Sequence, residues 1–242
     1  VLVAALVVVT FTWGMVVYGI PELAKSVAQA LPVSVDEKLT QGTLTLLDER
    51  ILSESELALE TQKRIEDKFL NMVEQAQDEH KYQLMFRKGL GANAFALPSG
   101  HIVITDELIA MADSDEEVLA VLAHEIGHVV HEHGLRSVLQ SSAVALLLTA
   151  VTGDVGAASG FAAAMPIILL ETNYSRKFEL EADAYALDYM KANNIDTIHF
   201  ATILQKISGD VGDEESSPFS YISTHPATFE RIKPFKDNSL TK

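Results

Sequence analysis

The first 20 residues of the chain, VLVAALVVVTFTWGMVVYGI, contain no charged side chain. As a helix rising 1.5 Å per residue, such a segment is roughly 30 Å long, which matches the hydrocarbon core of a bilayer. We therefore expect residues 1–20 to form a transmembrane anchor, with Pro21 ending or bending the helix. The alternatives are a buried core helix and a signal-peptide core, for which the run is long. Residues 21–41 are interpreted as a short amphipathic extension, at 22–31, followed by a linker at 32–41.

The composition excludes some classes of protein. Apolar residues make up 48% of the 242 positions, which excludes a mostly disordered chain. The formal net charge is −16 and no run of Lys or Arg occurs, so we expect no nucleic-acid partner. Because the chain has no Cys, any metal ion must be held by His, Asp or Glu.

Residues 42–242 are expected to form one domain of the α+β class, mainly helical with a small antiparallel sheet. Alternating hydrophobicity and turn residues predict the strands, at residues 43–47, 82–87, 92–97 and 101–105. The capping boxes Ser53-x-x-Glu56 and Ser114-x-x-Glu117 predict helices at residues 53–76 and 114–133, the second with Gly134 as its stop signal. Helical periodicity predicts two more helices, at 175–192 and 197–208. Two further segments are interpreted as an apolar helical hairpin at 137–170 and an acidic loop at 210–217.

The sequence His124-Glu125-Ile126-Gly127-His128 is an HExxH motif within one of these predicted helices. Residues four apart share a helical face, so both imidazoles can bind one Zn²⁺ ion. Glu125 follows the first ligand and is the predicted general base for a water molecule at the metal. Gly127 leaves room for close packing at this point. An HExxH sequence also occurs by chance, so the prediction of a zinc site requires a third protein ligand elsewhere in the chain.

The third ligand is expected in the segment Phe178-Glu179-Leu180-Glu181-Ala182-Asp183. Glu179 and Asp183 lie four apart on one helical face, so Glu179 can bind the metal while Asp183 orients a ligand histidine. Asp183 as the ligand is the main alternative, and Glu181 is a weaker one. His131 and His133 follow the motif closely, and both are interpreted as structural or surface residues.

Three segments, HEIGH, FELEAD and NAFALPSGHIVIT, together resemble metallopeptidase family 48, the HtpX and CAAX-prenyl-protease group of gluzincins. The resemblance covers about residues 36–234. It implies one zinc ion per chain with Glu179 as third ligand, and endopeptidase activity on polypeptides in membrane or envelope quality control. Unlike the multi-span members of that group, this chain has a single clear apolar span, so cleavage of prenylated substrates within the membrane is not expected.

Two more segments gain a role from the resemblance. The stretch Asn93-Ala94-Phe95-Ala96 would be an edge strand beside the zinc, to which an extended substrate adds as a further strand. His225 would hydrogen-bond the oxyanion during catalysis or occupy the fourth position on the metal, and a structural turn histidine is the alternative.

These observations predict a membrane-anchored zinc endopeptidase that hydrolyses unfolded or misassembled proteins. One rival is a chaperone-like module that binds extended chains without cleaving them, although such a module needs no Glu125. Another is a latent enzyme, with residues 137–170 or 210–217 as a lid. The charges that follow the anchor show no positive excess, which favours the periplasmic side of a bacterial inner membrane. They are Glu22, Lys25, Asp36, Glu37 and Lys38.

Overall fold

The computed structural model describes residues 2–76, 80–152, 175–210 and 221–240. Its α-helices are Leu2–Gly14 (α1), Ile20–Ala28 (α2), Val33–Arg50 (α3), Leu59–Ala76 (α4), Asp106–Met111 (α5), Asp115–Val130 (α6), His133–Thr152 (α7), Arg176–Ala192 (α8), Ile198–Asp210 (α9), Tyr221–Thr224 (α10) and Phe229–Asp237 (α11). Its strands are Ser53–Glu54 (β1), Gln83–Lys88 (β2), Ala94–Ala96 (β3) and His101–Thr105 (β4). The predicted α+β class, with a mainly helical domain and an apolar N-terminal helix, is confirmed.

The small sheet is mixed, so the prediction of a purely antiparallel sheet was wrong. Its strand order is β1-β2-β4-β3. Strands β3 and β4 form the expected antiparallel hairpin, with Ala94 opposite Ile104. The hairpin places β4 between β3 and β2, so that β4 runs parallel to β2, with Gln83 opposite His101. Turn residues predict the hairpin locally, whereas the pairing of β2 with β4 depends on contacts that are distant in the sequence.

Helix α3 replaces two predicted features, the linker at 32–41 and the short strand at 43–47. Its buried residues follow a helical spacing rather than the alternation of a strand, and α3 packs on the sheet through Leu44 and Leu47. The predicted capping box at Ser53 and Glu56 is also wrong, because α4 begins only at Leu59.

The N-terminal helix continues through Pro21 after a π-helical turn at Met15–Gly19. A wider turn of this kind accommodates a proline, which has no N–H to donate. The segment Leu6–Ala28 is long and apolar enough to cross a membrane, and an 18-residue window of it has a mean hydropathy of 1.6 and is 6% buried. Ile20, Ala24 and Ala28 are buried where α2 packs against α7.

Helix α6 is the centre of the domain and is buried from Glu117 to Val129. The Ser114 hydroxyl accepts a hydrogen bond from the Glu117 N–H, as the predicted cap requires. Helices α4, α8 and α9 and strand β3 pack around α6. The predicted helices near 175–192 and 197–208 are α8 and α9. Because α6 lies in the middle of this core, the side chains of its HExxH motif are enclosed.

Helix α6 ends at Val130, earlier than the predicted end near His133. Glu132 adopts a φ of 55°, in the left-handed region, and α7 starts at His133. Gly134, the predicted stop signal, therefore lies inside α7. Residues 137–152 of the predicted apolar hairpin belong to α7. The remainder of that hairpin, and residues 211–217 of the acidic loop, lie outside the described residues.

Candidate metal centre

Four side chains place their ligand atoms within 4.8 Å of one another, and all four are buried. They are His124, His128, Glu179 and His225. The His128 Nε2 atom lies 3.0 Å from His124 Nε2 and 3.3 Å from Glu179 Oε1. His225 Nδ1 lies 2.9 Å from the same oxygen of Glu179. We refer to these four residues as the ligand cluster.

Helix α6 supplies His124 and His128 from one face, and α8 supplies Glu179 opposite them. Gly127 permits the close approach of the two helices. A Cβ atom at this position would lie 3.0 Å from the Cα atom and 3.1 Å from the carbonyl oxygen of Ala182. Close contact between backbones thus brings the carboxylate of α8 to the histidines of α6.

Asp183 lies behind His124 rather than in the ligand cluster. Its Oδ1 atom is 3.0 Å from His124 Nδ1, on the side of the ring that faces away from the other ligands. Arg231 on α11 donates hydrogen bonds of 2.7 and 2.8 Å to the two carboxylate oxygens of Asp183, and its Nη1 atom lies 2.6 Å from Glu179 Oε2. The geometry therefore places Glu179 among the candidate ligands and Asp183 in the supporting position.

Glu125 is fully buried next to the cluster. Burial raises the pKa of its carboxyl group, although His225 and His124 act in the opposite direction. The backbone of Ala96 in β3 also lowers this pKa, and the Nε2 atom of His225 lies 3.8 Å from Glu125 Oε1. Glu125 is thus held between the cluster and the edge of the sheet.

The donor set fits a zinc ion. Two or three imidazole nitrogens and one carboxylate oxygen are the ligands that zinc takes when no Cys is present. Burial lowers the pKa of His128 to about 3, so its imidazole is neutral, as a metal ligand must be. The carboxylates of Glu125, Glu179 and Asp183 are buried together, and Arg231 pairs with two of them, so a divalent cation would offset negative charge at this site.

Strand β3 lies at one edge of the sheet and packs beside α6. Of the predicted substrate-binding residues, Ala94, Phe95 and Ala96 form this strand, and Asn93 directly precedes it. A cavity between this edge and the end of α6 reaches His128. It is lined by Ala96, Leu97, Pro98, His128, Val129, Glu132 and Gly134.

Two contributors were not assigned a role from the sequence. Arg231 belongs to the tail that, together with His225, resembles the family, but the resemblance implied no role for it. His133 was interpreted as structural or surface, and the structure buries it against His128 and Glu181. Both are brought to the site by tertiary packing, which the local pattern of the sequence does not encode.

A buried set of histidines and a glutamate, with a second glutamate beside it, is the arrangement of a hydrolytic metal centre. Comparison with known proteins agrees. The family model of Peptidase family M48 matches residues 59–238, and the chain belongs to this family. The predicted family is therefore confirmed.

Relatives within the family carry metalloprotease names. The chain is 32% identical over 149 residues to metalloprotease LoiP of Escherichia coli, an alignment that covers 60% of this chain and 58% of LoiP. It is 32% identical over 141 residues to the mitochondrial metalloendopeptidase OMA1 of Arabidopsis thaliana, covering 58% of this chain and 28% of OMA1. For the beta-barrel assembly-enhancing protease of Escherichia coli the identity is 26% over 150 residues, covering 58% of this chain and 31% of the relative. The chain thus spans less than two thirds of each of these relatives.

Proposed function

We propose that this protein is a membrane-anchored zinc endopeptidase, with His124, His128 and Glu179 as the metal ligands and Glu125 as the general base. The observation that carries the proposal is the position of Glu125, buried directly beside a cluster of imidazole and carboxylate donors. Membership of Peptidase family M48 supports the same reaction.

When bound, a zinc ion would supply a Lewis acid that polarises the scissile carbonyl and acidifies a water molecule. Glu125 accepts a proton from that water as its oxygen attacks the carbonyl carbon, and then returns the proton to the amine as the C–N bond breaks. A carboxyl group whose pKa is raised by burial suits both transfers, since it holds the proton more readily than an exposed glutamate does. Asp183 orients His124 from behind.

The edge of the sheet supports a polypeptide substrate. A chain in extended conformation can pair with the backbone of β3, residues 94–96, which lies close to Glu125. Backbone pairing gives affinity with little dependence on sequence, which suits unfolded or misassembled proteins. Relatives named for beta-barrel assembly favour envelope proteins as substrates, and the charges after the anchor favour the periplasmic side.

The test compares wild type with Glu125→Gln, using the full chain in detergent, for zinc content and for casein cleavage. We expect about one zinc ion in each protein and a loss of cleavage of about 10²–10⁴-fold in the variant. Glu116→Gln, in the first turn of the same helix, is the matched control and should cleave as wild type does. Absence of bound zinc from wild type would refute the proposal. Zinc in both proteins with cleavage by neither would favour the chaperone-like binding module or a latent enzyme.

The enclosure of the site favours the latent form as a second possibility. His225 is 1% exposed and places its Nδ1 atom 3.3 Å from His124 Nε2, within the ligand cluster. A fourth protein ligand would occupy the position that a catalytic zinc leaves open. If His225 closes the site, His225→Ala should raise casein cleavage. If it hydrogen-bonds the oxyanion instead, the same variant should lower kcat with little change in zinc affinity. Unchanged cleavage together with unchanged zinc affinity would exclude both roles.

A further inference from the structure

A third histidine, His133, lies behind the ligand cluster and contacts it through His128. The Nδ1 atoms of His133 and His128 are 2.9 Å apart, and His133 Nε2 lies 2.9 Å from Glu181 Oε2. His133 is fully buried, and its ring stacks on Phe178 with the centroids 4.2 Å apart and the planes at 11°. The two ring nitrogens of His133 therefore have defined partners on opposite sides.

The partners fix one pattern of hydrogen bonds. His128 Nε2 faces His124 and Glu179, so it is the nitrogen that offers its lone pair to a cation. The proton of His128 must then be on Nδ1, which donates to Nδ1 of His133. That acceptor carries no proton, so His133 is protonated on Nε2 and donates to the carboxylate of Glu181.

We propose that His133 is a positioning residue that holds His128 in the tautomer and ring orientation required for metal binding, with Glu181 as a weaker contributor that orients His133. This inference rests on the proposed function, in which His128 is a zinc ligand. A carboxylate behind a ligand histidine commonly serves this purpose, and here a second histidine connects the two groups. We call the connected set, His128, His133 and Glu181, the histidine relay.

The backbone is arranged to place His133 in the relay. Helix α6 ends at Val130, and Glu132 takes a φ of 55°, which is uncommon for a residue with a side chain. This turn brings His133, the first residue of α7, back beneath His128. From the next turn of α7, the Arg136 guanidinium lies 4.3 Å from the centroid of the Phe178 ring, and its Nη1 atom lies 3.4 Å from Glu181 Oε2.

Two amide substitutions of His133 separate its two hydrogen bonds. The Asn oxygen lies near the position of Nδ1, so His133→Asn keeps an acceptor for His128 and loses the donor to Glu181. The Gln amide nitrogen lies near the position of Nε2, so His133→Gln keeps the donor to Glu181 and loses the acceptor. A role in packing alone would give the opposite order, because Asn is the smaller side chain and leaves the larger void.

The experiment titrates the metal-free full chain with Zn²⁺ in detergent against a competing chelator. We expect His133→Asn to remain within about threefold of the wild-type affinity and His133→Gln to lose about 10–100-fold. His131→Asn is the control, because its ring stacks on His133 at 5.4 Å and, among the described residues, forms no hydrogen bond to the relay. It should bind zinc as wild type does.

A measurement on the wild-type protein avoids dependence on the folding of any variant. Imidazole ¹⁵N chemical shifts of the zinc-bound chain report which nitrogen of each ring is protonated. We expect His128 to be protonated on Nδ1 and His133 on Nε2. A proton on Nδ1 of His133, or equal zinc affinity in all three variants and wild type, would overturn the relay while leaving the proposed function intact. Failure of wild type to bind zinc would overturn both, so the two failures are distinguishable.

Discussion

The two histidines of the HExxH motif are supported from behind in different ways, and His124 has the more enclosed support. His124 Nδ1 lies 3.0 Å from Asp183, whose two oxygens accept hydrogen bonds from Arg231. The side chains of Arg231 and Asp183 are 3% and 7% exposed. Asp183 and Arg231 are therefore oppositely charged, hydrogen-bonded to each other and buried, and we call this pair the inner support.

The support of His128 reaches closer to solvent. Its carboxylate, Glu181, acts through His133, is 30% exposed and has its contact with Arg136 at a longer distance of 3.4 Å. Arg136 itself is buried, where it also donates a hydrogen bond to the His131 carbonyl oxygen. We call the set Glu181 and Arg136 the outer support. Water and dissolved ions can reach its carboxylate.

The comparison shows that the chemical type of a pair does not determine its importance. Both supports consist of one carboxylate and one arginine, yet only the inner support lies wholly in surroundings of low polarity. There an unpaired charge has no water to stabilise it, so removal of one partner is costly. At a partly exposed pair, solvent replaces a lost partner and the interaction is worth little.

The two supports should differ most in how much stability the protein loses when the arginine of each is removed. Arg231→Met leaves Asp183 and Glu179 buried without the guanidinium that pairs with both, and should lower the free energy of unfolding of the metal-free chain by about 3–5 kcal/mol. Arg136→Met leaves a carboxylate that water reaches and keeps packing against Phe178, and should cost about 1 kcal/mol. Urea unfolding of the full chain in detergent, followed by circular dichroism, measures both values.

Addition of Zn²⁺ sharpens this comparison. The ion would offset the charge on Glu179, so zinc should recover more of the stability lost in Arg231→Met than of that lost in Arg136→Met. Equal losses in the two metal-free variants would show that exposure of the carboxylate does not separate the inner support from the outer one.

The sequence predicted those parts of the fold that depend on near neighbours. Helix α6, its Ser114 cap and the β3–β4 hairpin follow from residues a few positions apart. The parallel pairing of β2 with β4 could not be predicted this way, since strands joined through β3 have no local signal for their neighbour. At Ser55 and Glu56, hydrogen bonds to Asp106, about fifty residues away, replaced the predicted helix cap.

In the candidate site, too, the residues that are close in the sequence could be predicted, and those brought together by tertiary packing could not. The spacing of His124, Glu125 and His128 places them together on α6 without further information. Glu179 needed the HExxH motif as context, because two acids on an acidic helix are otherwise usually surface residues, and the resemblance to the family then favoured Glu179 over Asp183. The roles of Arg231 and His133 could not be predicted, since only the packing of α11 and the turn before α7 bring them to the cluster.

The two supports should differ less in their effect on zinc affinity, when the carboxylate of each is replaced by an amide of the same shape. Asp183→Asn removes the carboxylate directly behind His124 and leaves Arg231 with one acid fewer, so zinc affinity should fall by about 10–100-fold. Glu181→Gln still offers an oxygen to His133 and exchanges a charge that solvent already screens, so the loss should be at most about threefold. Competition of Zn²⁺ with a chelator measures both variants.

Ionic strength tests the reason for this difference. A solvent-exposed charge is screened over about 10 Å at 0.1 M salt, whereas a buried one is screened much less. The small loss in Glu181→Gln should therefore shrink further as NaCl is raised, while the loss in Asp183→Asn stays constant. If both losses responded to salt alike, water would reach Asp183 as it does Glu181. The two histidines would then differ only in the number of groups behind them, not in the polarity of their surroundings.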